Sequence, residues 1–239
     1  MINFPDIILI GLGHKARNGK DTVANLLKEK LDNVEIVHWA DGVYEECRNL
    51  ESEFPLIKRE FKTSEKTYYS VLKDSSGDRF AISDKTDPFL HDIFEKRGIT
   101  EYQRMIDKDP EILQFWGTNY RRTHCDKDYW VKFTMKKVNK IAKHIQSGYI
   151  LIPDTRFKNE VDAVRLNGGY YVKVVRTTTE GNQYISEDRD PNHMSEIDLN
   201  DYPADVTLTA LNVPELAIQV EEFIRGFLEP IKMAQAFKK

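Results

Sequence analysis

The chain has 239 residues, 35 of them basic and 39 acidic, for a net charge of −4 and a hydrophobic share of 40%. That length suits one α/β domain, or one domain carrying an insertion, with a substantial buried core. The near-balanced charge excludes an overall cationic field for duplex nucleic acid or a membrane surface, so any anionic ligand must be met by local basic groups.

No apolar run approaches the about 20 residues that span a bilayer, and no basic stretch precedes a long apolar segment. Two cysteines, Cys47 and Cys125, lack zinc-type spacing and any disulfide framework, and His124 beside Cys125 reads as incidental. A soluble, cytoplasmic protein is expected.

Ile7-Ile8-Leu9-Ile10 reads as a first strand. It runs into Gly11-Leu12-Gly13-His14-Lys15-Ala16-Arg17-Asn18-Gly19-Lys20-Asp21-Thr22, and an apolar-periodic helix follows to about Leu31. A strand, a turn bearing Gly and Lys, and a helix N-terminus form the layout in which backbone N–H groups cradle phosphate. The spacing departs from the usual pattern: Gly13 stands one place early, and Asp21 occupies the position of the hydroxyl that ordinarily ligates Mg²⁺. Thr22 follows, so Asp21 or Thr22 is expected to organise the metal.

Val34 to Trp39 reads as a second strand ending at Ala40-Asp41-Gly42. Asp41 is a candidate substrate contact or the cap of a helix over 43–50. From about 51 to 88 the composition turns polar and aromatic, and two β-rich runs, 67–73 and 79–83, flank a turn at 74–78. This predicts an inserted hairpin. Helices are expected over 89–96 and 100–115. The stretch Leu113 to Arg122 then combines an apolar face with Gln114, Thr118 and the Arg121–Arg122 pair, whose guanidiniums offer planar bidentate donors for phosphate.

A long amphipathic helix is predicted over 128–145, with Trp130 either stacking on a base or packing in the core. Tyr149-Ile150-Leu151-Ile152 is a buried strand leading through Pro153 to Asp154-Thr155-Arg156-Phe157-Lys158-Asn159-Glu160. A carboxylate at such a strand end orients a hydrogen-bond network or Mg²⁺, and Pro153 is expected to interrupt the strand. Arg156 and Glu160, four apart, are either a surface ion pair or ligand contacts. A strand over 169–175 ends near Arg176, and residues 177–195 read as a lid-like loop closed by His193-Met194-Ser195-Glu196. His193 is a phosphate contact or a helix cap. A last strand over 205–211 and a helix over 214–227, with Pro214 at its first turn, complete the chain.

Alternating strands and helices indicate a parallel α/β sheet. Gly19-Lys20-Asp21-Thr22, Leu113-Gln114 with Gly117-Thr118 and Arg122, Trp130-Val131, Asp154 to Phe157 with Asn159-Glu160, and His193 with Ser195-Glu196 together resemble bacteriophage deoxynucleoside monophosphate kinases. The family usually carries Ser where this chain has Asn18, and a Lys near Gly42-Val43-Tyr44.

The resemblance implies a P-loop NTPase-type nucleoside monophosphate kinase fold over a single domain, 1–239. It also implies transfer of the ATP γ-phosphate, with Mg²⁺, to a 2′-deoxynucleoside 5′-monophosphate, giving a diphosphate and ADP for DNA synthesis in the host cytoplasm. His14, Lys15, Ala16, Asn18, Gly19, Lys20, Asp21 and Thr22 would hold ATP. Lys20, Arg17, Asp21 and Arg122 would act on the transferred group, and Thr118, Trp130, Asp154, Arg156 and Glu160 would line the acceptor site, with Asp41, from its place at the end of the second strand, as a further candidate substrate contact.

Other expectations are a nucleotide substrate, no stable nucleic-acid or membrane partner, and an oligomeric state open between monomer and homodimer. Two alternatives stand: a kinase for another small phosphorylated acceptor, phosphomevalonate-kinase-like, and a nucleotide-dependent switch. The switch reading rests on Asp74-Ser75-Ser76-Gly77, and Asn139-Lys140-Ile141-Ala142 lacks the Asp that would read guanine.

Overall fold

The structure, a computed structural model, describes residues 6–48, 69–73, 79–83, 117–118, 121–122, 126–186 and 191–237. The helices expected over 89–96 and 100–115, the turn at 74–78 and Cys125 lie outside them. The chain divides into two compact units, one of residues 1–39 with 131–239 and the other of residues 40–130.

The first unit is built on a five-stranded sheet in the order β2-β5-β1-β6-β7, every pair parallel. Its strands are β1 (Ile7–Gly13), β2 (Val34–Ile36), β5 (Gly148–Thr155), β6 (Tyr170–Arg176) and β7 (Val206–Ala210). The helices packed on it are α1 (Lys20–Lys30), α3 (Tyr129–Ile145), α4 (Lys158–Leu166) and α6 (Val213–Phe223). This is the α/β class expected from the alternation, and it is consistent with a P-loop kinase fold.

Strand side chains alternate between faces, and β1 is apolar on both. Ile8, Ile10 and Leu12 pack with Val23, Ala24 and Leu27 of α1 and with Leu216, Val220 and Phe223 of α6. Ile7 and Leu9 pack on the opposite face with Met135, Val138 and Ala142 of α3 and Val164 of α4. Strand β1 is thus covered on both sides, and its C-terminal end delivers the loop of residues 14–19 into α1.

Pro153 does not end β5, which continues to Thr155. The ladder to β2 covers Val34–Ile36, extended by the Val37 amide donating to the Leu151 carbonyl, so it has ended before Pro153 is reached. On the other side the β1 register shifts between Gly11 and Gly13, an irregularity that accommodates a residue without an N–H. Side chains continue the tie: Trp39 N donates to Asp154 Oδ1 at 2.8 Å, and Trp39 Nε1 donates to Thr155 Oγ1 at 3.0 Å.

In the second unit, α2 (Asp41–Arg48) begins two residues earlier than predicted, with Asp41 in its first turn. Strands β3 (Tyr69–Lys73) and β4 (Arg79–Ser83) form an antiparallel pair, Tyr69 opposite Ser83 and Lys73 opposite Arg79, which is the expected hairpin. Near the C-terminus the helix predicted over 214–227 is two pieces, α6 and a π-helical turn over Ile224–Leu228, and a further helix beyond its predicted end, α7 (Glu229–Ala236), follows. Pro230 can donate no backbone bond, and Glu229 N reaches Ile224 O five residues back, so the widened turn brings the chain into a new helix.

Candidate active site

The β1–α1 loop is shaped by three residues with positive φ: His14 at 107°, Arg17 at 54° and Gly19 at 91°. Gly19 immediately precedes α1, where left-handed backbone favours glycine and a side chain would meet Leu216 Cδ2 at 3.1 Å. Gly13 is fixed by space: a Cβ there would lie 2.6 Å from the Tyr171 ring and 2.7 Å from the Thr155 carbonyl. The loop therefore leaves the sheet through a gap only glycine fits, then turns so that the N-terminal N–H groups of α1 stand at its end. That is an anion-binding arrangement.

Lys20, the first residue of α1, is buried, and its Nζ donates to the carbonyls of His14, at 3.3 Å, and Lys15. Burial, then the nearby Arg156 charge, push its amine down to about 7, while Glu196, Asp21 and Asp154 pull the other way. Asp21 and Thr22 follow in the first turn. The Asp21 side chain is 80% exposed, with His38 Nε2 at 3.8 Å, and hydrogen bonding to His38 holds its carboxyl below the usual range.

Asn18 is buried and structural: Nδ2 donates to the Ala16 carbonyl at 2.8 Å, and Oδ1 accepts from Arg176 N at 2.8 Å. Its amide uses both a donor and an acceptor to tie the loop to the end of β6. His14 is also buried; burial, then the charges of Lys173, Lys15 and Lys20, push its imidazole down to about 3. Gln183 Nε2 lies 2.9 Å from His14 Nδ1. With the Gln183 amide donating to Nδ1, the neutral ring would carry its proton on Nε2. Lys15 is half-buried and Arg17 exposed.

Gln183 belongs to the segment expected to act as a lid. Residues 177–186 turn back on themselves through a Thr177–Gln183 bridge, and Tyr184 N donates to Arg176 O at 2.8 Å. Arg176 lies over the Tyr184 ring, 4.5 Å from its centroid. His193 caps the short helix α5 (Met194–Ile197): its Nδ1 accepts from Ser195 N at 3.3 Å, which selects the cap from the two roles open in the sequence.

At the end of β5, Arg156 is half-buried. Glu160 is buried and its Oε2 accepts from the amides of Arg156, at 2.7 Å, and Phe157, at 3.1 Å, closing the N-terminus of α4. The Arg156 guanidinium instead pairs with Glu196, Nη1 to Oε1 at 2.6 Å, and Glu196 Oε2 accepts from Ala16 N at 2.8 Å. The first unit thus brings together the loop, Lys20, Arg156, Asp154 and Glu160. It adds Glu196, which the sequence placed in a motif without a role at the site.

Asp41, Thr118, Arg122 and Trp130 belong to the second unit. Trp130 is 1% exposed, its Nε1 donates to Gly117 O at 2.7 Å, and Tyr129 meets it edge-on with ring centroids 4.8 Å apart. Buried Glu46 accepts from Arg121 Nε at 2.8 Å and from the Tyr129 hydroxyl. Thr118 and Arg122, half-buried, flank this network in sequence.

A parallel α/β sheet delivering a lysine-bearing loop to a helix N-terminus, with an arginine clamped beside that loop, is an arrangement suited to binding phosphate, as in the nucleotide kinase class. A family model described as deoxynucleotide monophosphate kinase matches residues 69–211, more than half of the chain, and the chain belongs to that family. It is a phosphotransferase acting on a deoxynucleoside monophosphate. No curated protein matches the chain significantly. The matched span begins after the β1–α1 loop, so the reading of that loop rests on its own geometry.

Among the described residues, no helix is long and apolar enough to cross a membrane.

Proposed function

We propose that the chain transfers the γ-phosphoryl group of ATP to a 2′-deoxynucleoside 5′-monophosphate, with the β1–α1 loop as the donor site and Arg156 as the principal cation for the acceptor phosphate. The observation that carries this is Lys20, buried at the N-terminus of α1 where the β1–α1 loop enters the helix, with Arg156 held beside the same loop through Glu196.

The acceptor monophosphate has a second pKa of about 6 and is largely dianionic at neutral pH. Its oxygen attacks the γ-phosphorus, the bond to the β-phosphate oxygen breaks, and ADP leaves with that electron pair. Because the attacking oxygen arrives ionised, no side chain has to remove a proton. The protein's work is to position two anions and offset their charge.

Gly19 and the neighbouring amides take the β-phosphate, and Lys20 moves from the His14 and Lys15 carbonyls to the β- and γ-phosphates. Arg17 and Arg122 add charge to the transferred group. Asp41, Thr118 and Asp154 contact the acceptor, Trp130 fixes the Gly117–Thr118 backbone, and Glu160 keeps Arg156 at the start of α4. Asp21 and Thr22 supply a carboxylate and a hydroxyl, the hard oxygen donors Mg²⁺ takes alongside substrate phosphates. That ion would neutralise charge on the donor phosphates.

The motif resemblance supports a phage-encoded enzyme supplying DNA precursors in the host cytoplasm. Residues 177–195 act as a lid over the donor site within a single kinase domain that carries the hairpin as an insertion. A coupled ADP-release assay across the deoxynucleoside monophosphates, their ribonucleotide counterparts and phosphomevalonate tests the reading. ADP release that depends on a deoxynucleoside monophosphate is expected. Release dependent on phosphomevalonate alone, or guanine nucleotide binding without transfer, contradicts it.

A further inference from the structure

Glu196 is 7% exposed, and both of its oxygens are committed, Oε2 to Ala16 N at 2.8 Å and Oε1 to Arg156 Nη1 at 2.6 Å. Its partners come from different elements: Ala16 lies in the β1–α1 loop, and Arg156 lies between β5 and α4. The Ala16 amide is buried with its residue and needs an acceptor, and Glu196 is the acidic partner of the Arg156 guanidinium among the described ion pairs.

The segment that presents Glu196 is itself anchored. His193 caps α5, and Asp198 just beyond α5 accepts from Lys158 N at 2.8 Å, with Lys158 Nζ 3.7 Å from its other oxygen. The carboxylate therefore enters from a turn tied to the N-terminus of α4, the same helix end that positions Arg156. The Arg156 charge beside buried Lys20 disfavours the charged amine, and Glu196 is an anion that offsets it.

We propose that Glu196 is a positioning residue of the kinase site: one carboxylate fixes the donor-phosphate loop through Ala16 and the acceptor-phosphate cation through Arg156, setting the distance between the two phosphates. This rests on the functional reading of that loop and of Arg156 given above. A misplacement of about 1 Å between reacting groups is enough to lower a rate about 100-fold. The carboxylate is suited to the task because it can accept on both oxygens at once. A glutamine keeps the shape but must turn its NH₂ group toward either the amide or the guanidinium.

The test is kinetics of Glu196→Gln in two backgrounds, wild type and Arg156→Ala, with thermal melting as a check on folding. In the wild-type background, kcat should fall by about 30- to 100-fold while KM for ATP changes by less than about threefold. In the Arg156→Ala background the same substitution should change kcat by less than about threefold, because the group it positions is gone. An equal fall in both backgrounds means that Glu196 merely supports the loop, and overturns the inference. So does an unchanged kcat with a lower KM for the acceptor, the signature of a carboxylate that only competes with phosphate for Arg156. Glu196→Gln that fails to fold is replaced by Glu196→Asp, which keeps the charge but shortens the reach and should show the same dependence on Arg156. If wild-type protein transfers phosphate to no deoxynucleoside monophosphate, the functional reading and the inference fall together; the other adverse outcomes overturn the inference alone.

Discussion

The Trp39 amide donates to the Asp154 carboxylate at 2.8 Å, so the chain leaving β2 is held to the end of β5 by a side chain where the backbone ladder has stopped. Asp154 therefore has a structural duty beside its assignment to the acceptor site. The two roles separate by substitution. Asn at this position keeps an oxygen for Trp39 N, and Ala does not. Asp154→Ala should lower stability by about 1.5–3 kcal/mol, the range for a hydrogen bond to a charged group. Asp154→Asn should unfold within about 1 kcal/mol of wild type and still lose activity. Urea denaturation beside the transfer assay checks both outcomes.

Lys20 predicts a pH dependence of donor binding. Its amine is pushed down to about 7 in the free protein, and a bound polyphosphate favours the charged form and raises that value. Binding above pH 7 must therefore take up a proton. Affinity for a non-hydrolysable ATP analogue should be flat below that pH and weaken up to tenfold per pH unit above it. Calorimetry in two buffers of different ionisation enthalpy should show uptake approaching one proton near pH 8.5, and release of a proton would contradict the assignment.

Gly13 is where the loop leaves the sheet. Ala at that position puts a methyl 2.6 Å from the Tyr171 ring and 2.7 Å from the Thr155 carbonyl, and the carbonyl belongs to a central strand that cannot easily shift. Gly13→Ala should destabilise by about 1–3 kcal/mol, as overpacking does. It should also weaken ATP binding, since the strand end that carries the loop must move. A melting curve and a binding isotherm on the same variant report the two effects.

Gln146 offers a gain of stability away from the site. It follows α3 with φ at 60°, exposed, its amide donating to Ala142 O at 3.0 Å in a helix-ending turn. Glycine adopts that conformation without a Cβ penalty, so Gln146→Gly should stabilise the protein by about 1 kcal/mol and leave turnover unchanged. A lower melting temperature would count against this geometry.

The frame of the sheet was legible because its signals are local. The apolar run of β1, buried on both faces, and the Gly-Lys step into α1 are written in about twenty consecutive residues. β5 is less legible because Pro153 looks like a break, and only the fold shows that β2 has already ended beside it. The helix after β7 reads as one piece in the sequence because the periodicity persists through Phe227, whereas Pro230 acts back on the turn before it.

Glu196 was the hardest to see. It lies 180 residues from Ala16 and 40 from Arg156, so no spacing links them. Only a motif resemblance pointed to it. His193 likewise needed the structure to choose between ligand and cap. Trp130 could be read equally as stacking platform or core from its helical position, and its burial beside Gly117 is what weighs toward a supporting part.

Turnover by Lys20→Ala decides whether the β1–α1 loop is the donor-phosphate site of a deoxynucleoside monophosphate kinase. In that variant deoxynucleoside-monophosphate-dependent ADP release should be abolished while the melting transition stays cooperative. Near-normal turnover in that variant would contradict it.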